Sequence, residues 1–295
     1  MAGYAIEAEA LTKYYGKTRG IDKLSLTVEK GAFFGFIGPN GAGKSTTIRT
    51  LLGLISPDSG RGRVLDKDIT KEKRKILERV GYLPSDNAFY MGMRVGDILK
   101  LSAGLRKKDC SVRASELCRR LQLDLSKKVE DLSFGNRKKV GIACALQHSP
   151  ELLILDEPTG GLDPLIQHEF FDILQEENEK GVTVFLSSHV LSEIQRHCTQ
   201  AAVIREGRVI ACDSVERLAR SNARRVTLRG NVRREDLPDL KGWKEEEGII
   251  SFLYSGEIRE LIRKLADLEI QDLTIAEPDL EEIILHYYGE GSEEA

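Results

Sequence analysis

The chain has 295 residues, 41% hydrophobic and 31% charged, with a formal net charge of -3. This is the composition of an ordinary globular protein of one large or two smaller domains, long enough to bury a sizeable core. It excludes a bulk cationic surface for non-specific binding to nucleic acid or anionic lipid, and no apolar run approaches the roughly 20 residues of a membrane-crossing helix.

The N-terminal stretch MAGYAIEAEALTKYYG carries acidic residues and no long apolar core, so it does not read as a secretory leader. Residues 32–37 (AFFGFI) predict a short buried strand, and TIRTLLGLI predicts an apolar helix ending near Pro57. Between them lies GPNGAGKST: Gly38, Pro39, Asn40, Gly41, Ala42, Gly43, Lys44, Ser45 and Thr46. A strand, a glycine-rich loop and a helix form a phosphate cradle. The glycines let successive N–H groups turn inward, and the helix N-terminus adds its dipole. Lys44 is placed to reach the terminal phosphates of ATP, and Ser45 to offer a hydroxyl to Mg²⁺.

Residues 87–149 interrupt this pattern with helical sequence, in MRVGDILKLSAGL and SVRASELCRRLQL. Ser133 and Gly135 then precede KKVGIACALQ, the start of a further helix and so a second anion site, or a plain capping serine. ELLILDEP predicts a central parallel strand over 152–155, with Asp156 and Glu157 at its C-terminal tip. Ligands of open α/β sheets bind at such tips, so Asp156 is expected to hold Mg²⁺ and Glu157 to orient or deprotonate the attacking water. VTVFLSSH predicts another strand, delivering His189 to the γ-phosphate.

Beyond about residue 223, VTLRG and GIISFLYS read as strands. A helix carries Ile258, Leu261, Ile262 and Leu265 on one face, IQDLTI is a strand, and Pro278 opens a helix with Leu280, Ile283, Ile284 and Tyr287. This order of elements suggests a small ferredoxin-like α+β domain. Arg224 and Arg225 read as a solvated linker, and the last residues, 290–295, as a disordered tail. The five cysteines show no CxxC spacing and read as reduced thiols.

Taken together, GPNGAGKST, LSFGN (132–136), LLILDEP (152–158), GGLD (160–163) and SSH (187–189) resemble, in order and spacing, the ATP-binding subunits of ABC transporters. The tail DLTIAEPDLEEIILHYYG (272–289) resembles a subfamily whose ATPase serves a separately encoded membrane permease, often an exporter. The resemblance implies an α/β P-loop NTPase core with an antiparallel β subdomain and a helical subdomain. ATPase domain 1–222 would contain helical residues 87–149, and an accessory domain 223–289 would follow. Tyr15 would stack on adenine. Ser133, Gly135 and Asn136 would contact ATP held by a second subunit, and Asp163 would communicate between the two sites. The expected partners are that second ATPase subunit, as a homodimer, and the transmembrane permease, with no nucleic acid. The expected location is cytoplasmic, on the inner face of the cell membrane.

The sequence departs from the family pattern LSGGQ at Phe134 and Asn136. It also has Ser85, beside Asp86, where most members carry a glutamine that touches Mg²⁺. Two competing readings are a soluble ATPase of the same type acting on ribosomes or DNA, and a non-hydrolysing nucleotide sensor. The first commonly needs two ATPase units or a long coiled-coil insert, and the second needs neither Glu157 nor His189.

Overall fold

The computed structural model describes residues 3–219, 224–237, 240–246, 248–254, 256–266 and 268–276. The chain forms two compact units, Met1–Cys212 and Asp213–Ala295.

In the first unit, β1 (Tyr4–Tyr15) and β2 (Thr18–Glu29) form a long antiparallel hairpin. Along 23–29 Leu24, Leu26 and Val28 are buried between outward-facing polar residues, the period-two pattern of a half-buried strand. Strand β3 (Phe33–Ile37) is buried throughout and runs into the glycine-rich loop, after which α1 (Lys44–Leu51) begins. Helix α1 stops before the expected Pro57. Gly53 takes φ 66°, and the N–H groups of Gly53 and Leu54 return to Thr50 O and Arg49 O, so a left-handed glycine closes the last turn. Strands β4 (Ser59–Val64) and β5 (Lys67–Asp68) complete a four-stranded antiparallel sheet in the order β2-β1-β4-β5.

After α2 (Lys73–Arg79) and β6 (Val80–Leu83), the chain enters three helices: α3 (Val95–Leu105), α4 (Ser111–Arg120) and α5 (Phe134–Leu146). It returns through β7 (Leu152–Asp156), α6 (Pro164–Glu179), β8 (Thr183–Ser188), α7 (Leu191–His197), β9 (Gln200–Arg205) and β10 (Arg208–Ser214). The central sheet has the order β10-β9-β3-β8-β7-β6, with β9, β3, β8, β7 and β6 paired in parallel. Every residue of β3, β7 and β8 is buried, as expected where both faces of a parallel sheet are covered. The order puts the C-terminal tips of β3, β8 and β7 side by side: Ile37 pairs with Ser188, and Ser187 with Asp156. Among the described residues no helix is long and apolar enough to cross a membrane.

The second unit follows α8 (Val215–Ala219) with β11 (Arg224–Asn231), β12 (Leu240–Glu246), β13 (Ile249–Tyr254), α9 (Ile258–Ala266) and β14 (Glu269–Ala276). Its antiparallel sheet, β12-β13-β11-β14, has the strand order of a ferredoxin-like fold. A 3₁₀ turn at Arg234–Asp236 lies between β11 and β12, where that fold has its first helix.

Three expectations change here. LKGWKEE forms the additional strand β12; its lysines and glutamates suit an edge position, and Trp243 stacks on Phe252 at 5.7 Å. Arg224 and Arg225 belong to β11, paired with Tyr254 and Leu253, rather than to a linker. On α9, Leu261 and Leu265 enter the core, but Ile262 is half exposed because the stripe that meets the sheet is narrower than the apolar set. The expected helix from Pro278 and the tail at 290–295 lie outside the described residues.

Candidate functional site

The loop between β3 and α1 turns on Gly43, the residue before the helix. Its φ is 108°, and a Cβ there would lie 2.5 Å from Gly20 O, so both conformation and space demand glycine. Lys44 follows with its side chain only 5% exposed. Its Nζ donates to Gly38 O at 2.7 Å and Pro39 O at 3.2 Å, and lies 3.1 Å from Glu157 Oε1. The ammonium is thus held inside the loop, among carbonyls that a phosphate oxygen could replace as its partners. Ser45 and Thr46 occupy the first turn of α1, where N–H groups have no partner within the helix.

Glu157 stands immediately beyond β7 with φ 48°, a left-handed conformation unusual outside glycine. Its N–H is within bonding distance of Ser187 O at 3.1 Å and Ser187 Oγ at 3.2 Å, so the neighbouring strand stabilises the turn. Its Oε2 meets His189 Nδ1 at 3.3 Å. Burial alone would raise the pKa of this carboxyl. The hydrogen bond and charge of Lys44, helped by His189, outweigh it and hold the group below the usual glutamate value. Asp156 is fully buried. Its Oδ1 accepts from Ser187 Oγ at 2.6 Å, while Oδ2 is buried without a partner among protein atoms. An orphaned buried carboxylate oxygen is costly, and next to Glu157, which meets Lys44 of the glycine-rich loop, it suits a cation or an ordered water.

The structure therefore brings Lys44, Glu157, His189 and Asp156 to three adjacent strand tips. It adds Ser187, which the sequence reading left without a role. Ser187 binds both acidic residues, and the signal was the SSH segment at the end of an apolar run.

Tyr15 lies at the end of β1, half exposed. A Cβ on Gly20 would sit 3.1 Å from its ring and 2.9 Å from the Thr46 methyl, so Tyr15 and Thr46 flank the same residue beside the start of α1. The signature segment is elsewhere. Ser133 caps α5, its Oγ accepting from Asn136 N at 3.3 Å. A Cβ on Gly135 would fall 2.3 Å from Gly161 O, and the half-exposed Phe134 ring lies on Gly161. Asp163 caps α6, accepting from Ile166 N at 3.0 Å. The signature start and the 160–163 loop are thus packed on each other, and the capping role that competed with the anion-site reading of Ser133 is occupied.

Residues 21–160 match the family model described as ABC transporter. The bacitracin transport ATP-binding protein BcrA of Bacillus licheniformis is 33% identical over 97% of this chain and 98% of its own length. The linearmycin resistance ATP-binding protein LnrL of Bacillus subtilis (strain 168) is 36% identical over 70% of this chain and 68% of its own. A solved ATP binding subunit of an ABC transporter superposes with a TM-score of 0.70 at 29% identity, covering 73% of this chain and 92% of that one. With a relative matched along almost its entire length, and a fold shared with a solved ATP-binding subunit, the chain belongs to the ABC transporter family, as an ATP-binding subunit with ATPase activity.

Proposed function

We propose that the chain binds MgATP with the triphosphate in the 38–46 loop, and that hydrolysis drives export through a separately encoded membrane permease. The observation that carries this reading is the meeting of Lys44, Glu157 and His189 within 3.3 Å contacts, beside the orphaned oxygen of Asp156. Lys44 and the α1 N-terminus bind the phosphates. Asp156 and Ser45 would hold Mg²⁺, and the bound ion would offset charge on the phosphate oxygens. Glu157, kept ionised by Lys44, orients a water and accepts its proton, while His189 fixes the carboxylate from the far side. Tyr15 provides an aromatic face for adenine.

The signature residues Ser133, Gly135 and Asn136 are assigned to ATP in a second copy of the chain, with Asp163 near that junction. One nucleotide does not need two helix N-termini of this kind in one subunit, which favours a head-to-tail homodimer enclosing two ATP molecules. The export direction is supported by the names of two relatives, one for bacitracin transport and one for linearmycin resistance, and a seat at the inner face of the membrane follows from docking on the permease.

The dimer is tested with Glu157→Gln, which keeps the shape of the site and removes the base. With MgATP this variant should sediment as a dimer, and without nucleotide as a monomer. A variant that binds ATP yet stays monomeric would contradict the head-to-tail arrangement.

A further inference from the structure

Lys138 lies on α5, two residues beyond the signature segment, and only 1% of its surface is exposed. A buried ammonium is costly unless its donors are used and its charge is balanced. Its Nζ donates to Ser85 O at 2.8 Å and Pro84 O at 3.2 Å, both in the loop after β6. Burial pushes the pKa of this ammonium down, and the fields of Asp156, Asp86 and Glu157 oppose that only in part, so this loop and the acidic pair share one electrostatic neighbourhood.

A second feature on the same helix points to the same loop. Gly141 lies one turn after Lys138 and on the same face. A Cβ there would fall 2.4 Å from Asn87 Oδ1 and 2.8 Å from the Leu83 side chain. Helix propensity would favour alanine at this buried interior position. Glycine leaves room for the ends of the Asn87 and Leu83 side chains, which a Cβ would have to displace. Lys138 and Gly141 together make α5 a seat for residues 83–87.

We propose that Lys138 is a positioning residue for hydrolysis, fixing the 84–87 loop to α5 so that Ser85 and Asp86 stay beside Asp156 and Glu157. The same helix starts at Ser133, so any displacement of the signature segment is passed through Lys138 to the hydrolytic end of this subunit's own site. The inference rests on the reading of Asp156 and Glu157 as that hydrolytic end.

The test uses full-length Lys138→Met, Lys138→Arg and Gly141→Ala, with steady-state ATPase kinetics, melting temperature and amide hydrogen exchange at 85–87. Lys138→Met should lower kcat by about tenfold or more with KM for ATP within about twofold of the parent. Exchange at 85–87 should accelerate in that variant. Lys138→Arg, which keeps charge and donors, should recover most of kcat and the protection. Gly141→Ala should lower kcat in the same sense without lowering the melting temperature, and it decides the matter should Lys138→Met fail to fold. The proposal is overturned if kcat of Lys138→Met or of a folded Gly141→Ala matches the parent. It is also overturned if both lysine variants lose kcat, gain KM and lose melting temperature together, with no recovery by arginine. Failure of the underlying reading is distinguishable, since Glu157→Gln would then retain turnover whatever Lys138 does.

Discussion

Lys44, Glu157 and His189 share one small space, and their contacts set opposite demands. In the proposed role Glu157 would have to remain ionised to accept a proton, and against the burial that raises its pKa, Lys44 holds it below the usual glutamate value. Replacement by glutamine should cost turnover about 10²–10⁴-fold, the usual range for a lost general base, with ATP binding retained in a direct titration. A second titratable residue acts on stability. His148 is buried, and burial, reinforced by the charges of Arg106 and Lys108, pushes its pKa down to about 4. The folded protein therefore resists the proton that the unfolded chain accepts near pH 6.5. Stability should be full above that value and fall as pH drops from about 6.5 toward 4, by roughly 3 kcal/mol. Urea unfolding across this window checks it, and His148→Gln should flatten the slope. The phosphate-loop residues and both strand-tip acids were legible in the sequence because their chemistry is local to short motifs. Ser187, Lys138 and His148 were not, because their importance depends on which strand or loop lies opposite.

Among the elements, the buried parallel strands were readable as apolar runs ending in polar residues, since both faces of such strands are covered. The β1–β2 hairpin received no direct reading: its first strand mixes Glu7, Glu9 and Lys13 with apolar residues, and four irregularities in register blur the alternation. Strand β12 was missed because an edge strand can carry charge that reads as loop. The end of α1 was misplaced because the apolar run continues past Gly53. The signature segment makes its own prediction. Gly135 has no room for a side chain against Gly161 O, and this contact lies apart from the phosphate loop in sequence. Gly135→Ala should therefore lower turnover by about tenfold or more while ATP affinity, measured on the monomer, stays within about twofold. Equal loss of both would argue that the segment supports its own subunit's nucleotide. Ser133→Ala should cost about 1 kcal/mol through the lost cap, read by denaturant midpoint.

On the scale of the whole chain, among the described residues one hydrophobic core spans both sheets of the first unit and another joins α9 to the C-terminal sheet. Calorimetry should resolve this in mutants. Phe252→Ala removes a fully buried ring that stacks on Trp243 and should destabilise the second unit by about 3–5 kcal/mol. MgATP should raise the transition of the first unit, because a ligand stabilises the unit that binds it. The general α+β character of the second unit was legible from its strand and helix periods. Its fourth strand was not, since the charged β12 reads as loop until β13 pairs with it.

The effects on turnover and on ATP binding presuppose a triphosphate seated against the Lys44 ammonium. The most direct test is an equilibrium titration of Lys44→Ala with MgATP, followed by phosphate release on the same sample. Affinity lowered by about tenfold or more and turnover abolished are the expected results. Unchanged affinity and turnover would contradict the account.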